Sequence, residues 1–387
     1  MDIATAYQPH RILLDGTRRG YPPPRVFLSP QRYIQGDGVL DSTGAYLAIA
    51  GARRVGVLIT RRGEQGEGQR LFASLTRGSI NHVVSPFGGE CSLQEIDTRA
   101  AELRGEGIDM LLAVGGGKCM DTAKGIAYRL GVPLTVIPSL ASNDAPCSAV
   151  SVLYTPEGVS TGAEFYPNNP AFVIVDTGVV ANAPARYLAA GIGDAMATYY
   201  EAKVCIDNPK AVTPVGTRPT LAAAAIAEVC ARTLHAHGVD AMAAVTRSEV
   251  NQALENVVEA NTLLSGIGFE SGGLAAAHAF AQAFTAIPAA EKNHLHGEMV
   301  AIGTLGQLML EGRPDEAERI ARFFLSVQLP VHLAQISVNA ADESQLDTIV
   351  AGTLDFPFIG NMPGHVDATS VRQALKTLDA LGRSVVA

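Results

Sequence analysis

Five short apolar runs, spaced by roughly 25 to 40 residues, constrain this chain more than any other feature. They are "RRVGVLIT", "INHVVSPFGG", "DMLLAVGGG", "PLTVIPS" and "AFVIVD". Segments of helical spacing separate most of them. Strand and helix therefore alternate, and such an order folds as a parallel sheet with helices on both faces. Four of the runs end at Thr60, Gly115, Ser139 and Asp176, which places these residues together on the carboxyl edge, where open α/β sheets bind ligands. After Asp176 the β-branched runs give way to Ala- and Leu-rich stretches with a period near 3.6, over 216–236, 246–268, 294–312 and 367–383. A helical half is expected there, starting near Pro184, since proline suits a first helical turn. The expected organisation is an N-terminal extension over 1–25, an α/β domain with a parallel sheet over 26–183, and an all-α domain over 184–387.

Composition narrows the class of partner. The chain has 387 residues, 47% hydrophobic and 17% charged, with a net charge of −9, a balance that buries cores instead of staying disordered. No basic run marks a nucleic-acid or membrane surface, so a small-molecule partner is expected. The five cysteines, Cys91, Cys119, Cys147, Cys205 and Cys230, form no C-x-x-C pair. They read as reduced thiols of a cytoplasmic protein. The start "MDIATAYQPHRILLDG" lacks the pattern of a signal peptide, and no window approaches eighteen uninterrupted apolar residues.

The stretch "LLAVGGGKCMDTAKGIA" carries the first chemical signal. Gly115, Gly116 and Gly117 permit a tight turn from strand to helix and leave no Cβ to obstruct a pyrophosphate, which the helix start would meet with unpaired N–H groups. By itself the loop fits either a phosphate seat or a turn packed with glycine, with Lys118 at the surface and Asp121 favouring the dipole. Three further segments carry the second signal: "AGIGDAMATYYEA" with Asp194, "FESGGLAAAHAFAQAF" with His278, and "KNHLHGEMVAIG" with His296. One carboxylate and two imidazoles match a zinc-type ligand set that leaves a position open for substrate. Spacing alone does not make them converge, and His294 competes with His296.

These residues resemble a known family. "SPQRYIQGDGVL", "GGGKCMDTAKGIA", "IPSLASNDAPCSAVSVLYTPEG", "GIGDAMATYYEA", "ESGGLAAAHAFAQAFTAIP", "HGEMVAIGTLGQLMLE" and "LDALGR" resemble, in order, the glycerol dehydrogenases of the iron-containing alcohol dehydrogenase superfamily, whose fold is dehydroquinate synthase-like. The resemblance implies a dinucleotide-binding α/β domain, a helical metal-binding domain, and a cleft between them for NAD and zinc. It implies Asp194, His278 and His296 as zinc ligands. Gly115, Gly116, Gly117, Lys118, Asp121, Ser139, Ser142, Ser148, Val150 and Tyr154 become cofactor contacts, and Asp144 a polyol contact. Zinc would then polarise a substrate hydroxyl while hydride passes to the nicotinamide, so no protein nucleophile is required. A homo-oligomer is implied as well. Thr198 stands where related metal enzymes often carry a further His, so the ligand set is three residues.

Two features bear on specificity. No Lys or Arg occurs between Arg129 and Arg186, a segment expected to form much of the cleft wall, and phosphorylated substrates are normally met by basic side chains. That favours an uncharged polyol over the substrates of dehydroquinate synthase or glycerol-1-phosphate dehydrogenase. After "VGVLI" the chain reads Thr60-Arg61-Arg62-Gly63 where the resembled branch has an acid for the adenosine ribose. Arginine there accommodates a 2′-phosphate, so NADP is an expected alternative to NAD.

Overall fold

The computed structural model describes residues 20–387, with Gln8, Pro9 and Leu13 before them; most of the expected 1–25 extension lies outside the described residues. Six parallel strands form the main sheet in the order β1-β8-β5-β4-β2-β3. They are β1 (Tyr33–Gly36), β2 (Arg54–Ile59), β3 (Asn81–Pro86), β4 (Met110–Gly115), β5 (Leu134–Pro138) and β8 (Phe172–Asp176). All five apolar runs become strands. The sequence reading missed β1, a four-residue edge strand paired to β8, because "YIQG" is too short and too polar to stand out as a run. It also missed the antiparallel hairpin of β6 (Val150–Tyr154) and β7 (Ser160–Phe165), whose second strand is largely exposed.

Alternation along the central strands divides two cores. Val57, Ile59, Leu112 and Val114 pack with Leu47 of α1 (Thr43–Ile49) and Leu71 and Leu75 of α2 (Gln69–Arg77). Leu58, Leu111 and Ala113 face the other way, toward Ile96 of α3 (Leu93–Leu103) and Met120, Ala123 and Ile126 of α4 (Gly117–Leu130). From β2 the chain steps outward to β3 and returns to β4 on β2's opposite side. Strand order thus reverses between β2 and β4, and the crevice of an open α/β sheet forms at such a reversal.

The helical half comprises α5 (Ala185–Asp207), α6 (Leu221–Thr246), α7 (Gln252–Glu259), α8 (Ser265–Gly272), α9 (Ala276–Phe284), α10 (His296–Leu310), α11 (Pro314–Ser326), α12 (Glu343–Asp355) and α13 (Ala368–Val386), leaving shorter turns unlabelled. A π-helical turn, Ala260–Leu264, joins α7 to α8. One large apolar cluster fills this half, drawn from α5, α6, α9, α10, α12 and α13 among others. Pro184 is the residue before α5, close to the expected position. Two glycines set the geometry of the centre. A Cβ on Gly193 of α5 would collide with the Gly297 carbonyl, and one on Gly297 of α10 with the Ala190 carbonyl. The two backbones therefore touch, and the residues next to these glycines, Asp194 and His296, are brought side by side.

Candidate metal and cofactor site

Asp194, His278 and His296 converge. Their donor atoms all lie within 4.8 Å of one another. His278 Nε2 is 3.4 Å and His296 Nε2 3.5 Å from Asp194 Oδ1. Asp194 lies mid-helix in α5, well beyond the helix start; His278 is in the first turn of α9; His296 is the first residue of α10. Asp194 is 1% exposed and its Oδ1 has no hydrogen-bond partner among the described residues. A buried carboxylate oxygen without a donor is costly, and a cation between it and the two imidazoles removes that cost. The residues present therefore fit a divalent metal with mixed N and O ligands. Burial works against charge on Asp194, but the two imidazoles outweigh it and hold its pKa low. His294 is not part of the cluster: its ring bonds Ser337 Oγ at 2.9 Å and faces Glu298.

Asp144 joins the group from the α/β side. Its backbone N–H donates to Asp194 Oδ2 at 3.3 Å, and its own carboxylate accepts from Ser265 Oγ at 2.9 Å. Burial, and then the charge of Asp194, raises the Asp144 pKa. The loop after β5 carrying Asp144 is held by residues of the π turn and α8. Asn261 donates to the Ala141 carbonyl at 3.0 Å, Ser265 holds Asp144, and Glu270 accepts the Ala149 N–H at 2.7 Å.

From beneath, Lys124 donates to the carbonyls of Ala145 and Val150, both at 2.8 Å, to Ser148 Oγ at 3.0 Å, and to Asp121 at 2.9 Å. Asp121 lies in the second turn of α4, 7% exposed, and also accepts the Val152 N–H at 3.0 Å. Asp121, Ser148 and Val150 are thus joined to one another by Lys124. Their polar groups are engaged in holding the start of β6.

Gly115 and Gly116 form the turn from β4 to α4, with Gly117 as its first helical residue. Lys118 pairs with Glu90 at 2.6 Å and sits 4.4 Å above the Tyr154 ring. A cavity of about 470 Å³ runs along the carboxyl edge, lined in part by Asp37, Arg62, Glu67, Arg70, Ser139 and Val179. Arg62 enters this wall and Arg61 does not. Thr60 spends its hydroxyl on the Gly63 N–H. Ser142, the remaining predicted cofactor contact, lies half-buried beside Asn143.

Sequence reasoning missed Lys124, Glu201, Asn261, Ser265 and Glu270. Each is a buried polar residue on a helical segment, and no local sequence signal sets it apart. Glu201 lies behind the Asp194, His278 and His296 cluster, with Oε2 2.5 Å from His278 Nδ1.

Comparison with known proteins finds relatives over most of the chain. The model of the family "Iron-containing alcohol dehydrogenase" matches residues 30–177. A glycerol dehydrogenase of Escherichia coli O6:H1 is 44% identical over 93% of this chain and 98% of its own length. One of Thermotoga maritima is 42% identical over 92% and 96%. The crystal structure of a probable glycerol dehydrogenase from Sinorhizobium meliloti 1021 superposes with a TM-score of 0.87, at 40% identity, covering 93% of this chain and 99% of the other.

Proposed function

This chain belongs to the iron-containing alcohol dehydrogenase family, and we propose that it is a zinc-dependent polyol dehydrogenase that oxidises glycerol to dihydroxyacetone with NAD. The observation that carries this is the juxtaposition of the Asp194, His278 and His296 donors, one oxygen of which has no hydrogen-bond partner among the described residues, with the buried Asp144. Zinc held by those three residues supplies Lewis acidity toward a substrate hydroxyl. Asp144, kept in place by Ser265, accepts a hydrogen bond from a neighbouring hydroxyl and so fixes which carbon faces the cofactor. Gly115 to Gly117 seat the pyrophosphate, and Ser139 and Ser142 lie along the same edge. Asp121, Ser148 and Val150 act by holding the loop and hairpin that wall the cleft, and Lys118 and Tyr154 close its outer side.

A phosphorylated substrate fits less well. Two basic groups near the glycine loop are already engaged, Lys118 by Glu90 and Lys124 by Asp121. The carboxyl-edge cavity also bears on cofactor choice, read as the seat of the adenosine end. Arg70 is paired with Asp41 and Asp176, so a 2′-phosphate would meet Arg62 but also the carboxylates of Glu67 and Asp37. That charge balance favours NAD, with NADP the weaker substrate. No described helix is long and apolar enough to cross a membrane, in keeping with a cytoplasmic enzyme, and the family resemblance favours a homo-oligomer.

Elemental analysis of purified protein, with glycerol-dependent reduction of NAD and of NADP, tests the proposal. One bound zinc per chain and a higher kcat/KM with NAD are expected. Turnover undiminished after complete removal of metal would overturn the mechanism, and a preference for NADP would reverse the reading of Arg62.

A further inference from the structure

The first turn of α9 is capped from outside its own sequence. Ala275, the residue before the helix, has no side chain that can cap, yet the N–H groups that a helix start leaves unpaired are satisfied. Glu201 Oε1 accepts from Ala275 at 2.8 Å and His278 at 3.0 Å. Gln307 Oε1 accepts from Ala276 at 3.1 Å and Ala277 at 3.0 Å. Glu201 belongs to α5, which carries Asp194, and Gln307 to α10, which carries His296. The helices of the three ligands are therefore locked together at the point where His278 begins.

The two caps differ in one respect. Glu201 has a second oxygen, on His278 Nδ1 at 2.5 Å, and the residue is fully buried. Among the described residues Gln307 makes no hydrogen bond to an imidazole; its amide donates to Glu311 instead. We propose that Glu201 is a positioning residue for the metal centre. It draws the imidazole proton to Nδ1 and so leaves a lone pair on Nε2, the ring nitrogen 3.4 Å from Asp194 Oδ1. A carboxylate behind a ligating histidine also raises the ligand's basicity and fixes its ring plane. Gln307 supplies the same helix cap without that function. The inference rests on the metal-dependent reading of the site.

Glu201→Gln separates the two jobs. The glutamine oxygen still accepts from Ala275 and His278, but its NH2 now faces Nδ1 and favours the tautomer with the proton on Nε2, the metal-facing atom. Zinc affinity, measured by chelator competition on the full chain, is expected to fall about 10- to 100-fold with the melting temperature of the metal-free protein little changed. Gln307→Leu should do the reverse, lowering the melting temperature while zinc affinity changes less than about threefold, since this residue makes no hydrogen bond to a ligand side chain. Unchanged zinc affinity in Glu201→Gln overturns the proposal and leaves the metal site intact. So does an equal loss of affinity in Gln307→Leu, which would make the role one of capping alone. A wild-type chain that binds no zinc overturns both the proposal and the reading beneath it. If Glu201→Gln does not fold, long-range ¹⁵N–¹H spectra of the zinc-loaded wild type decide. A proton on His278 Nδ1 supports the assignment and its absence there overturns it.

Discussion

The glycine-loop wall takes its groups from one short run, Gly115 to Asp121, whereas the wall bearing Asp194, His278 and His296 collects its donors from three helices. The first is built by local backbone geometry: a buried strand ends, the chain turns through glycine, and a helix begins. The second depends on tertiary packing. Its donors meet because α5 and α10 touch through Gly193 and Gly297 and because α9 starts against both helices, where Glu201 and Gln307 cap it. A locally built site should tolerate changes in distant packing and respond sharply to added atoms. A site assembled from several helices should be sensitive to any single donor.

The largest effect is expected on the helical wall. His278→Ala removes one of three donors while the Ala275 and His278 backbone N–H groups keep their cap on Glu201. Zinc should be lost from the purified protein, and kcat/KM should fall by roughly a thousandfold or more, since Lewis-acid stabilisation is worth several kcal/mol. Far-UV circular dichroism should stay that of the wild type. A folded variant that retains both zinc and turnover would show that the three donors are not an interdependent set.

On the glycine wall, neighbouring substitutions should separate folding from binding. A Cβ on Gly115 would sit 2.6 Å from Thr60 Cγ2 and 3.0 Å from Cys119 Cβ, so Gly115→Ala should cost about 1–3 kcal/mol of stability through overpacking. A Cβ on Gly116 meets nothing closer than Leu140 Cδ1 at 3.7 Å. Gly116→Ala should therefore fold within about 0.5 kcal/mol of wild type. Its KM for the dinucleotide should nevertheless rise roughly tenfold if the backbone there approaches a pyrophosphate. Denaturant titration and steady-state kinetics read the two quantities separately. An unchanged KM in Gly116→Ala would mean that the turn uses glycine only for packing.

The contrast between the walls also explains what the sequence made legible. The strands near Thr60, Gly115, Ser139 and Asp176 follow from apolar runs of a few residues, and such runs keep their meaning whatever surrounds them. β1 did not stand out because an edge strand need not be apolar on both faces. In the helical half, periodicity marked the helices but carries no information on which of them touch. Asp194, His278 and His296 were identifiable as unusual residue types, and the family resemblance grouped them. Their supports were not identifiable: Glu201 sits 77 residues from His278, and Glu270 is 121 residues from Ala149. Nothing local distinguishes either from an ordinary helix-surface acid. The same holds for Lys124, which in "DTAKGIA" reads as a solvated lysine and in the fold is buried with four acceptors around it.

The smallest predicted effect lies where the two walls meet. Glu270 of α8 reaches across to the Ala149 N–H and to Asn169 Nδ2 at 2.6 Å. Burial pushes its pKa up to about 7, against the lowering effect of those two hydrogen bonds and of Lys124. The native state therefore holds a proton on Glu270 over a range, from 4.5 to about 7, in which the unfolded chain has released it. Protons bound in excess by the native state make stability fall as pH rises, so this group favours the fold most below pH 4.5 and progressively less through about 7. Glu270→Gln cannot ionise, and its stability should be flatter across that interval, by an amount on the order of a few degrees in melting temperature. Melting curves of both proteins at pH 5 and pH 7.5 in the same buffer measure the difference. Parallel pH dependences would assign the carboxylate a purely hydrogen-bonding role, and the junction between the walls would then be as insensitive to pH as the glycine turn itself.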